Sequence, residues 1–123
     1  MRVPWDYKFF VFDGKCRMIQ VDVGRFCGHT RTLLTRDWEV IPAEFAYPRA
    51  AVEPGRPKQS EQMLQVAEVA GKDIDFVRVD IYHSVRGPII GEMTCCPEGG
   101  TGKFAPLYYD HWLGSFWNFN PKD

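Results

Sequence analysis

Phe76-Val-Arg-Val-Asp-Ile-Tyr82, followed after a short gap by Pro88-Ile-Ile-Gly-Glu-Met-Thr-Cys95, decides how the chain is read. Both runs have the character of strands. Val77, Val79 and Ile81 alternate with Arg78, Asp80 and Tyr82, the period-two pattern of a sheet with two different faces. In the second run Ile90, Glu92 and Thr94 are expected to share a face. The gap His83-Ser-Val-Arg-Gly87 is short and holds a glycine, so a hairpin joins the two runs. A hairpin centred near Val85 and Arg86 sets Asp80 opposite or diagonal to Glu92. Direct cross-strand neighbours have Cβ atoms about 4.5–5.5 Å apart. Carboxylates that close repel unless a proton or a cation lies between them. Arg78 on the same face supplies one cation, and a divalent ion such as Mg2+ suits hard oxygen ligands better. Two readings stay open at this point: an Asp–Arg–Glu cluster on an amphipathic surface, or a metal site.

Outward from this hairpin, the 123 residues make one domain, 1–123, with 45% hydrophobic and 15% aromatic content, enough to build a core. Lys and Arg number 15 against 16 Asp and Glu, so no broad nucleic-acid or membrane surface is expected. Cys16, Cys27, Cys95 and Cys96 include no C-x-x-C pair, and the zinc-ribbon signal is absent. Reduced thiols in a cytoplasmic protein follow as the expectation. No apolar run reaches about 18 residues and no signal-peptide core is seen, so membrane insertion is not expected.

Asp6 to Phe12 and Lys15 to Asp22 are strand-like runs joined by Asp13-Gly14, a strong hairpin signal. Tyr7, Phe9 and Val11 share one face and Lys8, Phe10 and Phe12 the other. Across the turn, Met18, Gln20 and Asp22 alternate with Ile19, Val21 and Val23. The stretch from Asp22 to Arg31 reads as a glycine-punctuated loop leading into a strand. Its Arg25, His29 and Arg31 suit phosphate or carboxylate binding, or ion pairing with neighbouring acids. Arg31 to Thr35 and Trp38 to Ile41 form a further strand pair around Arg36-Asp37. Pro42 to Pro57, with its prolines, reads as a connecting stretch and not a packed element. Lys58 to Ala70 is the clear helix, with Met63, Val66, Ala67 and Ala70 at helical spacing. Pro57 precedes it and Gly71 is expected as its left-handed stop. Gly99, Gly100, Gly102 and Lys103 make a loop whose N–H groups can approach an anion, although it is no Walker A sequence. A last helix is expected from Pro106 to about Trp117, its Trp112, Phe116 and Trp117 packing as aromatic anchors.

Several of these segments occur in one order: Asp6-Tyr-Lys-Phe9, Ile19-Gln-Val-Asp22, Arg25-Phe26 with His29 and Arg31, and the helix. The hairpin then follows with Gly91-Glu-Met-Thr94, Gly102-Lys-Phe104, and Tyr109-Asp110 before Leu113-Gly114. In this order, from about Pro4 to Trp117, the chain resembles the TupA-like ATP-grasp family of teichuronopeptide and other surface-polysaccharide biosynthesis. The resemblance implies an α+β fold: a mainly antiparallel sheet, one long helix on a face, and a C-terminal helix. It implies ATP and Mg2+ as cofactors, and a small-molecule carboxylate joined to an amine through an acyl phosphate. Asp80 and Glu92 match the metal ligands, and Arg78 matches the arginine that contacts the transferring phosphate. Thr94 stands where many superfamily members place an asparagine ligand. Lys8, Arg25, His29, Arg31 and the Gly99, Gly100, Gly102 and Lys103 loop match positions near phosphate or substrate, with Glu98 where a glycine is expected.

The resemblance begins partway through the grasp domain, so the chain is expected to be its C-terminal portion. A complementary N-terminal ATP-grasp polypeptide would then supply the other wall of the nucleotide site. A remnant acting as a binding or interaction module is the alternative, and a homodimer a third arrangement. The strand beginning near Asp6 is expected to leave an apolar edge that promotes self-association.

Overall fold

Asp13 and Gly14 both take positive φ, 51° and 79°, and fold β1 (Asp6–Phe12) back on β2 (Lys15–Val23). This is the backbone that a two-residue hairpin turn demands. The computed structural model describes residues 6–24, 28–45, 47–50, 55–94, 104–105, 112 and 115. β3 (Thr30–Leu34) pairs with the far side of β2. β5 (Val77–Ser84) pairs with β1, and β6 (Gly87–Thr94) with β5. The result is a five-stranded antiparallel sheet in the order β3-β2-β1-β5-β6, with one helix, α1 (Ser60–Ala70), on a face. The α+β reading of the sequence holds.

α1 lays Met63, Leu64 and Ala67 against Tyr7, Phe9, Val11, Ile19, Val21, Val77, Val79 and Ile81. These sheet residues come from alternate positions of three strands, β1, β2 and β5, so one period-two face meets one helical stripe. Each large aliphatic side chain fully buried there contributes on the order of 1.5–3 kcal/mol. The opposite face is divided. At one end Phe10, Phe12, Met18, Leu33 and Phe76 form a second apolar cluster with Ile41 and Ala43, and Trp112 packs on it. The other end of that face carries the charges.

Several expectations are corrected. The helix begins at Ser60, two residues later than the sequence suggested, after Ser60 N–H donates to the Pro57 carbonyl. Gly71 has φ −91° and is not a left-handed stop; Asp73, at φ 64°, takes that conformation. Gly71 is instead a site of close approach, since a Cβ there would lie 2.5 Å from Val11 Cγ1. The proline-rich stretch contains β4 (Glu44–Phe45), which pairs with β7 (Phe104–Ala105), and it contributes buried Ala43, next to buried Ile41 just before the stretch. Trp38 to Ile41 is a single bridge, Leu34 to Val40, and not a full strand. β1 is paired on both sides, so the exposed-edge argument for self-association does not apply to it. The expected helix from Pro106 to Trp117 lies outside the described residues apart from Trp112 and Ser115.

An ion pair ties the helix to the chain just after β3. Arg36 donates Nε and one terminal N–H to the Glu68 carboxylate at 3.0 and 3.1 Å, and the same carboxylate accepts the Cys16 N–H at 2.8 Å. Burial works to raise the Glu68 carboxyl, but these hydrogen bonds outweigh it and hold the group below its ordinary range. Burial, with Glu68 adding to it, pushes the Cys16 thiol up to about 12, which fits an inert core thiol. Cys27, Cys95 and Cys96 lie outside the described residues.

Candidate functional site

The β5–β6 hairpin turns through Val85 and Arg86, with Ser84 opposite Gly87. Counted from that turn without interruption, Glu92 would oppose Val79 and point toward the helix. It does not, because Gly91 is an extra residue in β6. Ile81 pairs with Ile90, and the next pair is Asp80 with Glu92. This bulge reverses the facing of the distal half of β6. Ile90 therefore lies on the helix side, where it lines an open groove with Val66, Val69 and Ala70, and does not share a face with Glu92 and Thr94 as expected. The Tyr82 ring lies over Gly91, where any Cβ would fall 2.0 Å from Tyr82 Cε2. A glycine in the bulge covered by a cross-strand aromatic ring is thus what brings the two carboxylates together.

On the charged face, Lys8 of β1 opposes Asp80 of β5, which opposes Glu92 of β6; Arg78 opposes Thr94. Arg78 Nε donates to Asp80 Oδ1 at 2.9 Å, and a second guanidinium nitrogen donates to Oδ2 at 3.1 Å. Lys8 Nζ donates to the same Oδ2 at 3.2 Å. Asp80 is 6% exposed, whereas Glu92 is exposed and forms no ion pair among the described residues. Thr94 Oγ1 is buried and has no hydrogen-bond partner among the described residues.

These residues fit a hard dication. Mg2+ needs only one or two carboxylates when phosphate and water complete its shell. Asp80 and Glu92 are two carboxylates on adjacent strands, and Thr94 Oγ1, two residues from Glu92, is an oxygen without a partner among the described residues. Among the described residues no group of three His, Cys, Asp or Glu side chains is placed to hold a metal by itself.

At the other end of the same face, Arg31 donates to Asp22 through Nε at 2.8 Å and a terminal nitrogen at 3.2 Å. Gln20 Nε2 adds contacts to both Asp22 oxygens, at 3.3 and 3.2 Å. His29 stacks on Tyr47 with centroids 3.7 Å apart, its Nε2 lying 3.7 Å from Asp22 Oδ2. The Arg31 guanidinium packs 4.9 Å from the Tyr47 centroid. The predicted positions thus divide. Lys8, Arg78, Asp80, Glu92 and Thr94 are brought together, while His29 and Arg31 gather separately around Asp22. Arg25, Gly99, Gly100, Gly102 and Lys103 lie outside the described residues.

Gln20, Asp22 and Tyr47 were not singled out as site residues by the sequence. The alternation of Met18, Gln20 and Asp22 held the signal. It was obscured by a second bulge, since Val11 pairs with Cys16 but Phe10 with Met18, leaving Arg17 extra. Only with that extra residue does Gln20 come to oppose Lys8, and Asp22 to oppose Asp6.

Among the described residues no helix is long and apolar enough to cross a membrane. The family described as TupA-like ATPgrasp matches the chain over residues 3–118. No curated protein and no solved structure matches it.

Proposed function

The chain belongs to the TupA-like ATPgrasp family, and from that premise we propose that it forms the phosphate- and metal-binding half of an ATP-dependent carboxylate–amine ligase. The reaction we assign is activation of a carboxylate as an acyl phosphate, followed by displacement of phosphate by an amine, in surface-polysaccharide or teichuronopeptide synthesis. Residues 1–123 act as one domain, the C-terminal portion of an ATP-grasp domain, in the cytoplasm. A complementary N-terminal ATP-grasp portion supplies the opposing wall of the nucleotide site.

The observation that carries this reading is the Asp80–Glu92 cross-strand pair with Arg78 and Lys8 beside it. Asp80 and Glu92 would hold Mg2+, with Thr94 Oγ1 as a further oxygen donor. Bound there, the ion supplies charge neutralisation to the β- and γ-phosphates. Arg78 offers a planar fork of N–H donors to the γ-phosphoryl oxygens, whose charge must be balanced as the carboxylate attacks in line. Lys8 adds a point charge from the neighbouring strand. The Asp22 cluster stiffens the far end of the same face and so fixes the strand that carries Lys8.

A second reading has one observation in its favour. Both Asp80 oxygens are already held by side-chain cations, so the face is self-complementary, as in a module that binds without catalysing. Calorimetric titration of Mg2+·ATP into the wild-type chain and into Glu92→Gln separates the two. Binding by the wild type, weakened about tenfold or more in the variant, supports the ligase half-site. No heat from either favours the binding module.

A further inference from the structure

We propose that Lys8 and Arg78 are exchangeable counter-ions of Asp80: they hold its carboxylate in the resting chain and pass to phosphate when a metal ion and a polyphosphate arrive together. The inference rests on the function proposed above and adds a coupling that the reading does not itself contain. Its basis is that Asp80 has no free oxygen. Arg78 engages Oδ1 at 2.9 Å and Oδ2 at 3.1 Å, and Lys8 engages Oδ2 at 3.2 Å. The clamp comes from two strands, β1 and β5, and closes on one carboxylate.

These three bonds take most of the about four acceptor sites of the Asp80 carboxylate, so a dication competes with the two cations for it. The Lys8 and Arg78 side chains are only 13% and 12% exposed, so water compensates them poorly once they leave Asp80. They need an anion within reach, and phosphate oxygens suit both, the guanidinium as a fork and the ammonium as a point charge. The formal charges point the same way. Lys8 and Arg78 balance Asp80 and Glu92. A dication alone leaves an excess of positive charge on this face. A polyphosphate alone meets cations already engaged and two carboxylates that repel it. Together the two ligands restore the balance, so each strengthens the binding of the other.

The test follows Lys8 directly. The full chain is reductively methylated with 13C-formaldehyde, and the Lys8 resonance is assigned by its absence in Lys8→Arg. It is expected to shift with Mg2+·ATP, and to stay in place with Mg2+ alone and with ATP in excess EDTA. A shift with Mg2+ alone overturns the coupling. A Lys8 resonance that stays in place while calorimetry shows Mg2+·ATP binding overturns the exchange and leaves the proposed function standing. No Mg2+·ATP binding at all overturns both. A second measurement uses Asp80→Asn, in which Lys8 and Arg78 are no longer held by a carboxylate. Metal-free ATP in EDTA is expected to bind this variant roughly fivefold or more tightly than the wild type. Unchanged or weaker binding overturns the proposal. The Lys8 resonance in the unmutated chain decides the question independently should Asp80→Asn fail to fold.

Discussion

Asp22 and Asp80 stand on the same face of one sheet, each buried and each gripped by an arginine through two nitrogens. Their surroundings differ. Around Asp22 the carboxylate is enclosed: Gln20 donates to it, His29 approaches it, and Tyr47 packs against both His29 and Arg31, while Gln20 Oε1 and His29 Nε2 are buried without a hydrogen-bond partner among the described residues. The Arg31 side chain is 5% exposed. Around Asp80 the cations are less covered, and a second carboxylate, Glu92, stands beside the cluster exposed and unpaired among the described residues. An aspartate with a bidentate arginine is therefore not a site by virtue of its residue types. The closed cluster holds strands in place, and the open one has an oxygen-rich flank that a cation can meet.

The largest expected effect tests the closed member. Arg31→Met leaves Asp22 buried without its main counter-charge and should cost about 3–5 kcal/mol in urea unfolding. A loss under about 1 kcal/mol would break the comparison, because Asp22 would then be no better enclosed than Asp80. Lys8→Met removes one of two cations from Asp80 and leaves the Arg78 bonds, so a loss of about 1–2 kcal/mol is expected from the same measurement.

Glu68 with Arg36 is an intermediate case, anchored at one end by the Cys16 N–H and open to water at the other. The Glu68 carboxyl is held below its ordinary range in the folded chain. Its stabilisation is therefore fully present above the unfolded value, about 4.3, and is lost as pH falls through the lower folded value. Glu68→Gln should remove that part of the acid dependence and cost about 1 kcal/mol near neutrality, water screening the half-exposed Arg36. Stability measured across the acid limb checks both statements. The smallest effect on stability is expected at Glu92→Gln, within about 0.5 kcal/mol of wild type. The same variant should show the weakened Mg2+·ATP binding described above. A large loss of stability there would make Glu92 part of the scaffold and erase the distinction from Asp22.

Much of this was legible in local pattern. Asp13-Gly14 specified its hairpin because two consecutive positive φ values suit few other residue pairs. Alternation in β1 and β5 separated the helix face from the charged face, since strand side chains project to opposite sides. Helical spacing from Met63 to Ala70 located α1, although Leu64 was missed as a core residue. The hairpin centre at Val85 and Arg86 was also readable, but the Gly91 bulge that turns Glu92 to the face of Asp80 was not. Clustering around Asp22 was not readable, because His29, Tyr47 and Gln20 meet only when β2 and β3 pair and the chain after β3 returns to cover them.

By itself, then, the sequence determined the five strands of the main sheet, the helix, the Asp13-Gly14 turn and the family, all of which rest on short-range rules or on ordered motifs along the chain. Only the tertiary structure decided which acids face which cations. Two one-residue bulges, at Arg17 and Gly91, set that facing. A bulge shifts the pairing by one residue and so turns the rest of a strand over, and whether it forms depends on how the two strands pack. Gly91 lies under Tyr82 and Arg17 stands between two buried neighbours, Cys16 and Met18, which belong to opposite faces. Such packing requires the whole sheet to be assembled, which is why the site's composition could be read from the chain but its arrangement could not.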